Sequence, residues 1–123
     1  YADEIAAVLR EGPQRISRLS EVPLDPGMIL SNEPGYYREG AFGIRLENLI
    51  VVEPAPALGD NRAQLAFETL TFAPFDRRLV LRDRLAPGER DWLNAYHAAV
   101  QDRLTERVSA VARDWLTLAC APL

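Results

Sequence analysis

The sequence predicts an α+β fold in which an antiparallel sheet is followed by two helices. Strand-like runs occupy the front of the chain, at 28–33, 44–53 and 64–73. Two later stretches, about 88–104 and 106–119, carry apolar residues at three- to four-residue spacing, the mark of a helix with one buried face. The strands come first and the helices last. That order argues against alternating βαβ winding and for a sheet of antiparallel neighbours.

The elements follow in chain order. Residues 2–10 have helical composition, with Ile5, Val8 and Leu9 at i, i+3, i+4 spacing, and Glu11-Gly12-Pro13 then stops any helix. Residues 14–22 show no clear period. Asp25-Pro26-Gly27 forms the centre of a turn. Met28 to Glu33 reads as a short strand ended by Pro34-Gly35, and Tyr36 to Gly43 as a loop. Ile44 to Glu53 is the strongest strand. Ile44, Leu46, Asn48, Ile50 and Val52 share one parity; Arg45, Glu47, Leu49 and Val51 share the other. A Pro/Gly/Asn loop spans 54–62, a third strand 64–73, and 79–85 is ambiguous. Pro87-Gly88-Glu89 opens the first late helix, whose stripe is Trp92, Leu93, Tyr96, Val100 and Leu104. The second helix has Val108, Val111, Ala112, Trp115 and Leu116 on one face.

Length and composition set bounds. The chain has 123 residues, 48% hydrophobic and 26% charged, the range of a single globular domain with a modest core. A net charge of −4 weighs against nucleic acid as a partner. Every basic residue is Arg, which carries no functional reading. The single cysteine, Cys120, cannot form an internal disulfide and reads as a small apolar residue of the last helix. No apolar run approaches the ~20 residues needed to span a bilayer, and the first residues lack a basic-then-apolar leader, so the expectation is a cytoplasmic protein with no membrane role.

Two carboxylates stand out. Glu33 and Glu47 lie where strands usually place Val or Ile, and Arg45 precedes Glu47 by two residues on the same parity. An ionised carboxylate on a buried sheet face is costly unless paired or metal-bound. Glu47 has a local partner in Arg45; Glu33 reads either as a solvated strand end or as half of an oxygen-only site for a hard cation such as Mg²⁺ or Mn²⁺.

The stretch Leu24-Asp25-Pro26-Gly27-Met28-Ile29-Leu30-Ser31-Asn32-Glu33-Pro34-Gly35-Tyr36-Tyr37, followed by Gly43-Ile44-Arg45-Leu46-Glu47-Asn48-Leu49, resembles the Xaa-Pro aminopeptidase (aminopeptidase P) family. The two segments match the last two metal-ligand motifs of its pita-bread catalytic domain. Glu11 to Ser17 resembles the segment just upstream. Phe67 to Thr71 and the Trp92…Tyr96-His97 helix resemble its C-terminal extension, so that about nine-tenths of the chain is covered. The resemblance implies the C-terminal half of a pita-bread fold, with residues 1–10 a degenerate or non-native lead-in, 11–66 catalytic domain and 67–123 the extension. It implies hydrolysis of the bond between an N-terminal residue and a following proline. The cofactor is two divalent ions, usually Mn²⁺, held by two Asp, one His and two Glu. Glu33 then matches a metal ligand that also handles a proton of the attacking water, and Glu47 the carboxylate bridging both metals. Arg45 matches the group that orients them. Both glutamates are expected to face inward.

The match has gaps. The two Asp ligands belong upstream. Tyr1 stands at the His-ligand position, and Arg10 at that of a substrate-binding His, in Leu9-Arg10-Glu11-Gly12-Pro13. With three of five ligands absent, the expectation is a C-terminal fragment inactive alone, paired with a second copy or with the missing half. The alternative is a metal-free remnant that binds a peptide or protein. His97 matches a structural position of the family.

Overall fold

The computed structural model describes residues 14–17, 19–56, 59 and 62–123. The helical lead-in expected at 2–10, with Tyr1, Arg10 and the Glu11-Gly12-Pro13 stop, lies outside them. The described residues form two compact units, one up to Thr71 and the other Phe72–Leu123.

In the first unit, β1 (Ile29–Asn32), β4 (Asn48–Pro54) and β5 (Leu65–Thr69) form an antiparallel sheet in the order β1-β4-β5. The pair β2 (Gly35–Arg38) and β3 (Phe42–Arg45) forms a separate two-stranded ribbon. The turn into β1 is built by Pro26 and Gly27, whose φ of 91° is open to glycine at no steric cost. Gly27 donates its N–H to Val52 O at 2.8 Å, and Val52 N–H returns to Met28 O at 2.8 Å, so the turn sets the register of β1 on β4. Leu30 then faces Ile50 across the ladder. Leu30, Ile50 and Val52 make the core, with Leu24 and Met28 packed against it.

The loop assigned to Tyr36–Gly43 is a β-hairpin. The long strand assigned to 44–53 is broken, because Leu46 and Glu47 belong to no ladder. Of the residues that share the parity of Ile44, only Asn48, Ile50 and Val52 are buried; Ile44 and Leu46 are exposed. Strand parity holds only within one sheet, and the chain changes sheets at this point. The third strand is also shorter than expected.

In the second unit, α1 (Pro87–Leu104) starts with Pro at its first position, where its missing N–H costs nothing, and Glu89 Oε2 accepts the Ala86 N–H at 2.8 Å. The ambiguous segment before it is two short 3-10 turns, Arg77–Leu79 and Arg82–Arg84. A third 3-10 turn, Thr105–Arg107, delays α2 to Ala110–Ala119, capped by Ser109 Oγ on the Ala112 N–H. Tyr96, Val100, Leu116 and Cys120 form the core, with Phe72, Phe75, Leu104 and Val108 packed on it. Of the expected α2 stripe only Leu116 is buried; Val111 and Trp115 are exposed, because α2 meets the core through the Leu116–Cys120 edge. Tyr96 Oη donates to Ala73 O at 2.9 Å, and His97 Nε2 accepts the Phe75 N–H at 3.1 Å, so two helix side chains satisfy the extended segment before the 3-10 turns. Burial holds the His97 pKa below the usual imidazole range, with Arg77 adding to it. His97 is thus a neutral core residue, as its position in the family motif implies. Among the described residues no helix is long and apolar enough to cross a membrane.

Candidate functional site

Glu33, Arg45 and Glu47 meet at the junction between the sheet and the ribbon. Two ladders end there. Asn32 pairs with Asn48 at the end of the sheet, and Gly35 pairs with Arg45 at the start of the ribbon. Between them one chain supplies Glu33-Pro34 and the other Leu46-Glu47, tied by the Leu46 N–H donating to Pro34 O at 3.1 Å. Pro34 disfavours helical backbone at Glu33 and keeps the segment extended. The two glutamates are 14 positions apart in sequence. They become neighbours because both fall in this gap.

Arg45 joins them. Its Nη1 lies 3.1 Å from Glu33 Oε2, and its Nε 3.1 Å from Glu47 Oε2. Glu33 Oε1 accepts the Ser31 hydroxyl at 2.6 Å, a length typical of a bond to an ionised oxygen. Glu47, then Tyr37, then Glu33 hold the Arg45 guanidinium protonated even more firmly than usual. The expected inward burial of the glutamates is corrected. Glu33 is half-buried and Glu47 exposed, with 33% and 44% of their side chains accessible. The pairing with Arg45 that sequence suggested for Glu47 is present, and Glu33, which strand pattern alone left without a local partner, shares the same guanidinium.

Tyr37 completes the surround. It pairs with Gly43 in the ribbon. A Cβ at Gly43 would lie 2.8 Å from Tyr37 Cδ1, and one at Gly35 2.7 Å from Tyr37 Oη. The ring therefore lies across both glycines, reaching toward Arg45. Ser31 and Tyr37 were missed in the sequence. The available signals were the i, i+2 spacing of Ser31 and Glu33 on an extended chain and the two glycines flanking an aromatic ribbon residue.

Chemically, two carboxylates on one cation make a hard, oxygen-only donor set of the kind that suits Mg²⁺ or Mn²⁺. Among the described residues no group of three or more His, Cys, Asp or Glu is placed to share a metal ion. Two carboxylates held on one guanidinium are donors of the right type for such an ion, fewer than a closed site needs.

The chain is similar to known proteins over most of its length. The model of metallopeptidase family M24 matches residues 5–54, and that of the C-terminal region of peptidase M24 matches 63–123. Aminopeptidase P1 of Lotus japonicus is 40% identical over 120 residues, covering 94% of this chain and 18% of its own length. A probable Xaa-Pro aminopeptidase P of Tuber melanosporum is 41% identical over 123 residues, covering 94% of this chain and 20% of its own. A solved structure superposes with a TM-score of 0.74 at 32% identity, covering 87% of this chain and 18% of that one. It is the X-prolyl aminopeptidase of Caenorhabditis elegans, described as a cytosolic enzyme with a di-nuclear active site. The chain spans about a fifth of the length of the curated relatives it matches. The likeness extends to the fold, an α+β stretch of a pita-bread aminopeptidase P structure. Two family models in sequence order leave only residues 1–4 and 55–62 unmatched, and the chain belongs to metallopeptidase family M24.

Proposed function

We propose that this chain supplies the glutamate side of a dinuclear Xaa-Pro aminopeptidase centre, with residues 11–66 from the catalytic domain and 67–123 from its C-terminal extension. The observation that carries the reading is Arg45, which holds Glu33 and Glu47 on one guanidinium at 3.1 Å each. Glu33 and Glu47 are the metal ligands in this reading, and Arg45 the group that draws their carboxylates together. Two divalent ions, Mn²⁺ in the family resemblance, would supply water activation and oxyanion stabilisation there. Glu33 would hold one of them and take up a proton of the attacking water, and Glu47 would hold the ions from the other side of Arg45, the roles the resemblance implies for these carboxylates. The substrate is a peptide with proline at its second position.

Two carboxylates bind a divalent ion weakly, because affinity follows ligand number and preorganisation. The chain by itself is therefore inactive and gains activity only when completed by the upstream part of the M24 domain. The exposed Tyr36, Phe42, Ile44 and Phe67 of the first unit are the surface such a completion would cover. A second copy is the other partner that fits, and the description of the worm relative as cytosolic supports a cytoplasmic site.

The test is elemental analysis of the purified chain and hydrolysis of an Xaa-Pro peptide, with and without Mn²⁺. The expected result is no cleavage by the chain alone, and cleavage that depends on Glu47 once an upstream M24 segment is joined to it. Robust cleavage by the isolated chain overturns the incompleteness. A joined enzyme indifferent to Glu47→Ala overturns the ligand assignment.

A further inference from the structure

Glu33 has both carboxylate oxygens engaged. Ser31 Oγ–H donates to Oε1 at 2.6 Å, and Arg45 Nη1 donates to Oε2 at 3.1 Å. Ser31 is a half-buried residue of β1 that pairs with Leu49 across the ladder. Its hydroxyl is not needed for that pairing, which runs through the backbone, and serine is an indifferent strand former. Its position two residues before Glu33 on an extended chain puts both side chains on the same side. The last torsion of a glutamate is broad, so an unrestrained carboxylate turns freely about it. A donor on each oxygen removes that freedom. Each oxygen still keeps a second acceptor site, so a pinned Glu33 remains able to ligate.

We propose that Ser31 is a positioning residue for Glu33, its hydroxyl setting the carboxylate plane that is presented to a divalent cation. This rests on the reading of Glu33 as a metal ligand. Arg45 alone cannot set the plane, because its guanidinium is shared with Glu47 and follows both carboxylates. Ser31 is anchored in the sheet and touches only one of them, so its effect falls on Glu33 and spares Glu47.

The experiment is titration of Mn²⁺ into the isotope-labelled chain, followed by paramagnetic broadening of backbone amide signals. In the wild-type chain the signals of Asn32, Glu33 and Gly35 and of Leu46, Glu47 and Asn48 broaden first. The decisive pair is Ser31→Thr and Ser31→Val, which match in shape and differ in the hydroxyl. Ser31→Thr retains the wild-type response. Ser31→Val and Ser31→Ala keep the dispersed amide spectrum of the folded chain. In both, the Mn²⁺ concentration for half-broadening on the Glu33 side rises about tenfold. Equal titrations for the Thr and Val variants overturn the proposal and leave the ligand reading intact. If neither glutamate region broadens in the wild-type chain, the ligand reading of Glu33 fails and the proposal falls with it.

Discussion

His97 Nε2 accepts the Phe75 N–H at 3.1 Å in a site where the ring has no solvent contact. An imidazolium cannot accept that bond, so the ring is neutral in the folded protein. Burial is the main reason its pKa is lowered, and Arg77 adds to it. In the unfolded chain the ring titrates near 6.5. Below that pH the unfolded chain binds a proton that the folded chain refuses, so stability falls as pH falls and levels off once the folded ring titrates too. Above about 6.5 the contribution is complete. Thermal unfolding from pH 8 to 5 therefore shows a flat melting temperature down to about 6.5 and a decline beneath it. The His97→Phe variant shows no such decline. At pH 7.5 it is less stable than wild type by about 1–3 kcal/mol, since the Phe75 N–H loses its acceptor. Parallel pH profiles for the two proteins refute the assignment.

Glu47→Ala bears on stability and function in opposite ways. Glu47 sits in an exposed pair with Arg45, so its removal relieves no buried charge. Screened pairs at a surface contribute little, and the freed Arg45 keeps Glu33 as a partner. Glu47→Ala therefore leaves the melting temperature of the chain within experimental scatter at low and high salt. The same substitution abolishes Mn²⁺ broadening around residues 46–48. A large thermal loss together with retained Mn²⁺ response refutes both halves.

The helices were legible because α1 buries one stripe from Leu93 to Val100, and a 3.6-residue period survives when a single face is covered; Trp92, expected in that stripe, is exposed. Leu93, Tyr96 and Val100 are buried as their spacing implies. For α2 the same period named the wrong face, since only one edge of the helix meets the core and Trp115 faces out. Parity foretold the Arg45–Glu47 pair but not how far the strand runs. Counting alternate residues from Ile44 to Val52 assumes one flat strand, and the switch between ribbon and sheet at Leu46-Glu47 breaks the count. The sharing of Arg45 by two glutamates is a tertiary fact. It depends on Asn32 meeting Asn48 and Gly35 meeting Arg45, and a single chain read by itself carries no register between distant strands.

Gly43 is placed under a ring, and its substitution tests what Tyr37 does. A Cβ there would stand 2.8 Å from Tyr37 Cδ1, closer than a side chain tolerates. Tyr37 is exposed and can swing away, so Gly43→Ala costs only about 1 kcal/mol. The cost in organisation is larger, because the ring no longer lies beside Arg45. The expected signature is loss of the ring-current shifts of Gly35 and the residue at 43, with a changed Arg45 Nε–H signal. Tyr37→Leu reproduces the change at Arg45 with the glycines intact. An unchanged Arg45 signal in both variants counts against the ring as its support.

Arg77 ties the end of α2 to the segment before α1. Its Nη1 donates to Leu118 O and its Nη2 to Pro122 O, each at 2.9 Å. The last carbonyls of a helix lack intrahelical partners and carry the negative end of its dipole, so a forked cation suits them. Arg77→Met keeps the apolar stem against the core and removes both bonds. The expected loss is about 1–2 kcal/mol, with faster amide hydrogen exchange at Cys120 and Ala121. Arg77→Lys restores the charge but not the fork, because an ammonium is a point donor that cannot span two carbonyls in fixed geometry. It therefore recovers part of the stability and little of the exchange protection. Full protection with Lys would mean that charge alone holds this terminus, and unchanged exchange with Met would mean that the core around Leu116 holds it unaided.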